Sequence, residues 1–207
     1  MKHFTTELID SMDKRYRAMF INSLTGFKSV ALIGTKSNTN LENLAIFNSL
    51  VHLGAHPPLI GLVIRPDSVD RHTLENILES NYYTINQIKE EFFEKAHQTS
   101  ARYPKEKSEF EATGLTPIYK DDFTAPFVAE SSIQFGVEFK ERIDLKINGT
   151  VFIVGQIQQI YLPESIIHED GFVDLSEAGT ITNSGLDSYH RTEKISRLPY
   201  AKPLFSE

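Results

Sequence analysis

The sequence predicts a mainly β protein, a β-barrel with added helices. Six or so segments are rich in strand-forming residues and are bounded by turn residues, as buried strands are. Asn148-Gly149 separates two such segments and is typical of a β-hairpin. The βαβ spacing of a doubly wound parallel sheet is missing, and no Gly-x-Gly-x-x-Gly motif follows a strand. These observations favour a closed sheet over a Rossmann-type fold.

Composition limits the classes of protein and partner. The 207 residues suit a single domain, 1–207, with a core of about 20–165 and a C-terminal extension over 166–207. A net charge of −7 without any basic block argues against a nucleic-acid partner. The absence of cysteine rules out disulfides and thiolate chemistry. No signal peptide or membrane-length apolar run is visible, so we expect a soluble cytoplasmic protein without a membrane partner.

The first half of the chain alternates strands and short helices. Apolar runs predict buried strands over 30–35 and 59–64, joined by a polar loop. A loop is expected over 65–70, and a short helix over 72–79 in which Asp70 could act as the cap. The β-forming run 81–86 predicts the next strand.

After that strand, Asn86 is placed as the N-cap of a helix in which Ile88, Phe92 and Ala96 recur at helical spacing. The second half of the chain is predicted to be largely β. Residues 99–117 are expected to be irregular, and 127–139 to form one long or broken strand. The Asn148-Gly149 turn then returns the chain as a strand over 151–160, and the tail from 174 is expected to be loop-like.

The polar segment between the first two strands is the main candidate site. Asn43, Ser49 and their neighbours supply short donors beside reachable backbone N–H groups, a composition suited to cradling a phosphate. Arg65 follows the second strand and could add a bidentate charged contact. The alternative is ordinary loop punctuation, because Asn and Ser clusters are frequent in turns.

A series of short motifs resembles the flavin reductase-like family, whose members fold as FMN-binding split β-barrels. The resemblance covers roughly residues 15–160, and it depends on the order of the motifs more than on any single one. The motifs are Asn43-x-Ala-x-x-x-Ser49, Pro57-Pro-Leu-Ile60 before a strand and Arg65, Tyr83-Thr-Ile-Asn86, Ala96-His-Gln-Thr-Ser-Ala-Arg102, Glu109-Phe-x-x-x-Gly114-Leu, and Val151-Phe-Ile-Val-Gly155-Gln-Ile157.

The resemblance implies a flavoprotein that binds FMN non-covalently, with FAD and riboflavin as alternatives. It also implies a homodimer that passes electrons from NAD(P)H through the flavin to an acceptor. A flavin carries its own redox chemistry, so no catalytic residue is assigned. The expected cofactor-binding residues are Thr35, Asn43, the backbone N–H groups of Leu44 and Ala45, Ser49, Arg65, Thr99, Ser100 and Arg102.

One departure from the family weakens the assignment of a nicotinamide nucleotide as reductant. Many relatives that oxidise NAD(P)H carry Gly-Asp-His before the Val-Phe-Ile-Val-Gly strand, and this chain has Asn148-Gly149-Thr150 there. A non-catalytic flavin-binding or electron-carrier protein is therefore the first alternative function. A small-molecule oxidase or oxygenase on the same scaffold is the second.

Three further clusters have competing interpretations. His97 to Arg102 is either an ordinary helix C-terminus or a segment folding over the cofactor, as its resemblance implies. The Tyr189-His190 tail either covers a flavin face, reaches a partner subunit, or is a surface strap. A metal site is not expected, because His52 and His56 stand beside helix-breaking residues and no His-Glu-x-x-His motif exists.

Overall fold

The computed structural model describes residues 1–66 and 70–203. The helices in these residues are α1 Thr6–Asp10, α2 Lys14–Leu24, α3 His72–Ser80, α4 Phe93–Gln98 and α5 Glu109–Thr113, with 3₁₀ turns at Glu90–Phe92 and Glu164–Ile166. The strands are β1 Lys28–Ser29, β2 Ala31–Lys36, β3 Glu42–Phe47, β4 Leu50–Ala55, β5 Pro58–Ile64, β6 Tyr82–Gln87, β7 Pro117–Ile118, β8 Phe127–Val128, β9 Gln134–Leu145, β10 Thr150–Tyr161, β11 Thr182–Ser184 and β12 Ser188–His190. The protein is mainly β, as predicted.

The principal sheet has the strand order β3-β2-β6-β9-β10-β5-β4 among the described residues, and every neighbouring pair in it is antiparallel. Its two edge strands, β3 and β4, are consecutive in the sequence. Only Asn48 and Ser49 join them. A smaller sheet of order β1-β11-β12 lies beside it, and β7 pairs with β8.

This two-residue link forces the sheet to close. Seven flat strands would separate the outer two by about 29 Å, at about 4.8 Å between neighbours. The three Cα steps from Phe47 to Leu50 span at most about 11 Å. The edges must therefore curl toward one another, and the Val63 amide donates to the Ser49 carbonyl at 3.3 Å to tie the link to β5. The result is a barrel.

Strand β2 is buried on both of its faces, which accounts for its unbroken apolar run. Side chains alternate along a strand, so Ala31 and Ile33 enter one core cluster with α3 and the barrel strands. Val30 and Leu32 point the other way and pack against α4, α5 and Ile181. The helices that follow β6 thus cover the outside of the barrel at β2 and β3.

The segment predicted as a polar loop is instead strand β3. Asn43 pairs with Thr35, and Phe47 pairs with Ala31, in an antiparallel register along β2. The true turn is shorter and lies earlier, where the Ser37 amide donates to the Leu41 carbonyl at 2.9 Å. The Asn and Ser content suggested a loop, but pairing with β2 satisfies the backbone and outweighs that local preference.

Two further predictions over this part of the chain are wrong. Asn86 does not cap a helix: it lies in β6, where its side chain donates to the Leu32 carbonyl and accepts from the Val128 amide. Residues 99–117 are not wholly irregular, because α5 forms there and ends at Gly114 with φ +66°. A left-handed C-cap of this kind favours glycine.

The Asn148-Gly149 hairpin is confirmed, although its loop is longer than two residues. Leu145 pairs with Thr150, which leaves four residues in the turn, and Gly149 has φ +72°. The tail from 174 contains strands β11 and β12 as well as loops. Of the predicted loop over 65–70, residues 67–69 lie outside the described residues. Over the described part of the chain, no helix combines the length and apolar character needed to cross a bilayer.

Gly155 leaves the space that the Tyr83 side chain fills. A Cβ at Gly155 would lie 2.2 Å from Tyr83 Oη and 2.5 Å from Val137 Cγ1. Tyr83 is fully buried, and its hydroxyl has no hydrogen-bond partner among the described residues. The ring is therefore held by packing alone, which makes this position sensitive to added volume.

We expect Gly155→Ala to lower the free energy of unfolding by about 1–3 kcal/mol, the usual cost of overpacking a core. Urea denaturation monitored by circular dichroism measures the change. Gly54→Ala is the control, because its Cβ would meet only the Pro57 carbonyl oxygen, at 3.3 Å. Equal stability losses in the two variants would contradict this account of Gly155.

Candidate functional site

A large groove of about 1230 Å³ runs along β3. It exceeds the roughly 300–1000 Å³ of most small-molecule pockets. Helix α3 borders it near Asn43, and the turn between β11 and β12 borders it near Asn48. The segment after α4, from Thr99 to Glu106, also lines it. Because residues 43 and 48 are five steps apart on an extended chain, this wall is about 17 Å long.

Cations and open amides gather where α3 begins. Arg71 is the N-cap residue of α3, and its side chain has no acceptor atom for the first-turn N–H groups. It instead donates from Nε to the Pro66 carbonyl at 3.1 Å. Arg65, Arg71 and His72 all line the groove here. Asp70 does not cap α3 as expected, and among the described residues no side chain accepts from the first-turn amides of this helix.

Lys105 reaches α3 from the opposite side of the groove. Its Nζ lies 2.7 Å from Glu75 Oε2 on α3, and both side chains line the groove. The pair lowers the pKa of the Glu75 carboxyl, chiefly through the hydrogen bond from Lys105. Because both partners are largely exposed, the pair adds little to stability. It does join the segment after α4 to α3.

A buried amide network fixes Asn43 against α3. The Asn43 Nδ2 group donates to Thr73 Oγ1 at 3.1 Å and to Thr35 Oγ1 at 3.3 Å. Asn76 Nδ2 also donates to Thr35 Oγ1, at 3.1 Å. Thr35 is completely buried and does not line the groove. Its position makes it a support for Asn43 rather than a residue in reach of a ligand.

The Leu44 amide already has an anionic partner within the protein. Glu109, at the start of α5, accepts from Leu44 N through Oε2 at 2.9 Å. Its carboxyl is buried yet still borders the groove. Burial raises the pKa of Glu109, although the bond from Leu44 and nearby His72 oppose the shift. Leu44 N–H is thus occupied before any ligand arrives.

Side chains alternate along β3, although Ile46 and Asn48, which have the same parity as Leu44, also border the groove. Asn43, Ala45 and Phe47 share one face, whereas Leu44 points into the core cluster under α4 and α5. The loop interpretation had placed Asn43 and the backbone N–H groups of Leu44 and Ala45 around one phosphate. In a strand, successive N–H groups point in opposite directions, so those of Leu44 and Ala45 cannot both reach it.

The far end of the groove is completed by the C-terminal tail. Asn48 Nδ2 donates to Asn183 Oδ1 at 2.8 Å and to the Gly185 carbonyl at 3.1 Å. These bonds fix the β11–β12 turn to the end of β3, so Leu186 and Asp187 lie at the groove. Val30 and Phe47 add apolar surface at this end, beside the polar side chains of Asn22 and Asp187.

Tyr189 and His97 form a hydrogen-bonded pair beside this end. Tyr189 Oη lies 2.7 Å from His97 Nδ1, and both residues line the groove. The Tyr189 ring also packs on Phe93 with 5.4 Å between ring centroids. Burial, with the Asp187 carboxylate as a smaller cause, raises the pKa of Tyr189 to about 12.

Seven of the nine predicted cofactor-binding residues line the groove: Asn43, Ala45, Ser49, Arg65, Thr99, Ser100 and Arg102. Thr35 and Leu44 do not. Thr99 is also the C-cap of α4, so the 97–102 cluster includes a helix end, as one of its two interpretations holds. The other interpretation, a segment folding over the cofactor, stays a prediction. Sequence reasoning missed Arg71, His72, Glu109 and Asn183. The one sequence signal for Arg71 and His72 was that two basic residues stand side by side at the start of a predicted helix.

Three possible metal ligands meet elsewhere, at His168, Asp174 and Glu177, whose ligand atoms lie within 4.8 Å of one another. Lys194 also pairs with the Asp174 carboxylate. A positive charge therefore already occupies the centre of this group, and the cluster is best described as an ion-pair network that holds the tail.

The region that matches known proteins includes the whole barrel. The family model "Flavin reductase like domain" matches residues 27–176. The chain belongs to this family. It is 51% identical to a Shewanella frigidimarina protein described as a candidate flavin reductase with a split barrel domain, with a TM-score of 0.94 over 97% of this chain and all of the other. The split-barrel fold predicted from the resemblance is confirmed.

More distant structures share the fold. Nitrilotriacetate monooxygenase component B from Bacillus cereus is 19% identical, with a TM-score of 0.83 over 96% of this chain and 98% of its own. An FMN-binding protein from Thermus thermophilus, solved with 1-cyclohex-2-enone, is 17% identical, with a TM-score of 0.70 over 86% and 93%. At these identities the likeness concerns the fold alone.

The residues of the groove fit a flavin mononucleotide chemically. A phosphate needs cations and N–H donors, which lie together at the start of α3. A flat aromatic ring needs apolar walls with a few hydrogen-bonding groups, which the end near Phe47 provides. A groove wall of about 17 Å leaves room for both in one molecule.

We expect Glu109→Gln to be at least as stable as the parent protein at pH 7, whereas Glu109→Leu should lose about 1–3 kcal/mol because the Leu44 N–H loses its acceptor. A carboxyl with a raised pKa stabilises the fold fully below its usual value of 4.5, and that stability is lost as the pH rises through the raised value.

The advantage of Glu109→Gln over the parent protein should therefore shrink when the pH is lowered toward 4. Urea denaturation of the three proteins between pH 4 and 7 measures this trend. A Gln variant that loses as much stability as the Leu variant at every pH would contradict the proposed role of the bond to Leu44.

Proposed function

We propose that this flavin reductase-like protein binds FMN non-covalently in the groove along β3 and acts as a flavin-dependent oxidoreductase. The observation that carries the proposal is the polarity of that groove. Its end at α3 brings together Arg65, Arg71 and the first amides of α3, although Asp70, Glu75 and Glu109 also line it. Its other end includes the apolar and aromatic side chains of Val30, Phe47 and Tyr189 beside polar residues.

The phosphate is assigned to the α3 end. Dianionic phosphate is stabilised by the positive end of a helix and by charge-assisted hydrogen bonds from arginine. Arg65 and Arg71 supply the charges, and Asn43, held by Thr73, supplies an amide nearby. Ser49, Thr99, Ser100 and Arg102 line the remaining walls and are proposed to contact the rest of the cofactor.

When bound, the flavin supplies the redox chemistry, taking up a hydride from a donor and passing electrons to an acceptor. The chain's own residues bind and orient it and exclude water from one face. Phe47 and Val30 provide apolar walls, and the Asn48–Asn183 contact holds the tail in place at the ring end. FAD and riboflavin are alternative ligands, because the groove exceeds what a mononucleotide fills.

NAD(P)H is the proposed electron donor, in line with the name of the family, but the Asn148-Gly149-Thr150 turn argues against the usual nicotinamide contact. Asn148 Oδ1 accepts from both Thr150 N and Thr150 Oγ1, at 3.1 and 2.7 Å. A Cβ at Gly149 would lie 3.6 Å from Pro66 Cβ, so the turn lies beside the loop that carries Arg65. No imidazole is present at this turn.

A homodimer is the proposed assembly. The outer strand β4 exposes Val51 and Leu53, with 45% and 41% of their surface accessible. Apolar side chains on an edge strand favour burial against another surface. Sedimentation velocity would give a species near twice 23.5 kDa if a second copy covers this strand.

A non-catalytic flavin carrier is the second candidate function, favoured by the altered turn at Asn148. Steady-state oxidation of NADH and NADPH in the presence of FMN separates the two. A holoprotein that dithionite reduces but neither nucleotide reduces is a carrier. Because free reduced flavin also forms peroxide in air, peroxide formation would indicate an oxidase only if it occurs with protein-bound flavin and without added FMN.

We expect Arg65→Ala to weaken FMN binding about tenfold or more, because a hydrogen bond to a charged group contributes about 1.5–3 kcal/mol. Riboflavin lacks the phosphate, so its affinity should change little. Fluorescence titration of the flavin-free protein with each ligand measures both constants.

Arg197→Ala is the charge-matched control, because Arg197 pairs with Asp170 on the tail and does not line the groove. The FMN affinity of the parent protein should also fall more steeply with added salt than that of Arg65→Ala. If Arg65→Ala weakened riboflavin and FMN equally, the phosphate would have to be assigned elsewhere.

A further inference from the structure

We propose that Tyr189 is a catalytic proton donor to an acceptor bound in the groove and that His97 resupplies its proton, an inference that rests on the proposed function. The acceptor class is a quinone or conjugated carbonyl compound, whose oxygen gains a proton on reduction. The geometry is a phenol that lines the groove and lies 2.7 Å from an exposed imidazole. Donor and relay are thus within hydrogen-bond reach.

Three contacts hold the Tyr189 hydroxyl in this position. Strand β12 carries the residue, and Asn183 pairs with Tyr189 across the β11–β12 hairpin. The Phe93 ring packs against the Tyr189 ring, which limits its rotation. The neighbouring Arg191 forms an ion pair with Glu90, which secures the strand end next to α4. The ion pair alone would be enough to hold a surface strap. The Tyr189 ring and the His97 imidazole, in contrast, both border the groove.

The proposed step balances with one hydride and one proton. Two-electron reduction of a quinone to a hydroquinone adds a hydride equivalent, which a bound reduced flavin would supply, to one oxygen and a proton to the other. The Tyr189 O–H bond breaks and a new O–H bond forms on that oxygen. The Tyr189 oxygen then takes the Nδ1 proton of protonated His97, and His97 regains a proton from water.

His97 is well placed for the second transfer. Its side chain is exposed on α4, so the imidazole can exchange protons with solvent while Nδ1 faces Tyr189. The charged groups bordering this end of the groove are Asp187 on the hairpin turn and Arg102 after α4. His97 acts through Tyr189 and is therefore a positioning residue.

The test compares two acceptors with Tyr189→Phe, which keeps the ring that packs on Phe93. The FMN-loaded protein is reduced with dithionite, and its reoxidation is followed by stopped-flow absorbance. With menadione, whose oxygens take up protons, we expect the rate to fall at least about 100-fold, the lower range for loss of a general acid. With ferricyanide, which takes up an electron without a proton, the rate should stay unchanged.

His97→Gln should show the same acceptor-selective pattern with a smaller loss. In the parent protein, menadione reduction should show a solvent deuterium isotope effect, and ferricyanide reduction should show none. Equal losses with both acceptors, or none with menadione, would overturn the proton-donor role while leaving the proposed function intact. Failure of the parent protein to bind FMN would overturn both.

A measurement without flavin tests the pair itself. In the flavin-free protein, the ¹⁵N resonance of His97 Nδ1 should move when Tyr189→Phe removes its partner. Asp187→Asn is the control, because it leaves the Tyr189 hydroxyl in place. Identical His97 resonances in the parent protein and in Tyr189→Phe would show that the hydrogen bond does not form in solution, and the inference would fail.

Discussion

The Asn48-Ser49 link between β3 and β4 determines the rest of the architecture. Because two residues cannot span a flat seven-stranded sheet, the two edges of the sheet must meet. Closure buries one face of β2 inside the barrel and leaves the other face for α4 and α5. It also places Asn48 where the C-terminal hairpin can bind it. The groove along β3 is therefore a consequence of how the barrel closes.

Most of the small polar groups along β3 are used by the protein itself. Thr35 accepts from Asn43 and Asn76, the Ser49 hydroxyl donates to the Val63 carbonyl at 2.7 Å, and Glu109 accepts from Leu44. Buried polar groups need such partners, since an unpaired one is costly. In the proposed FMN complex, the phosphate would therefore rely on Arg65, Arg71 and the first amides of α3 more than on short hydroxyls.

The sequence predicts the barrel better than it predicts the site. The Asn148-Gly149 hairpin and the helix after 72 depend on local signals, and both form. The loop expected at Asn43 fails because its residues pair with a distant strand, and the Asn86 cap fails because that side chain satisfies the Leu32 and Val128 backbones. Ordered motifs identified the family, but they did not predict which residues line the groove: Thr35 and Leu44 do not.

The position of the C-terminal hairpin beside the groove could not be predicted from local sequence patterns. Asn48 and Asn183 are 135 positions apart, so only the folded barrel brings them together. The same hairpin carries Tyr189 to His97, 92 positions earlier in the chain. The hairpin is held by backbone pairing of β11 with β1, by side-chain hydrogen bonds, and by packing of Ile181 in the core cluster under α4 and α5. The groove therefore has one wall from the barrel and one from a distant part of the chain, and both must fold before the groove exists.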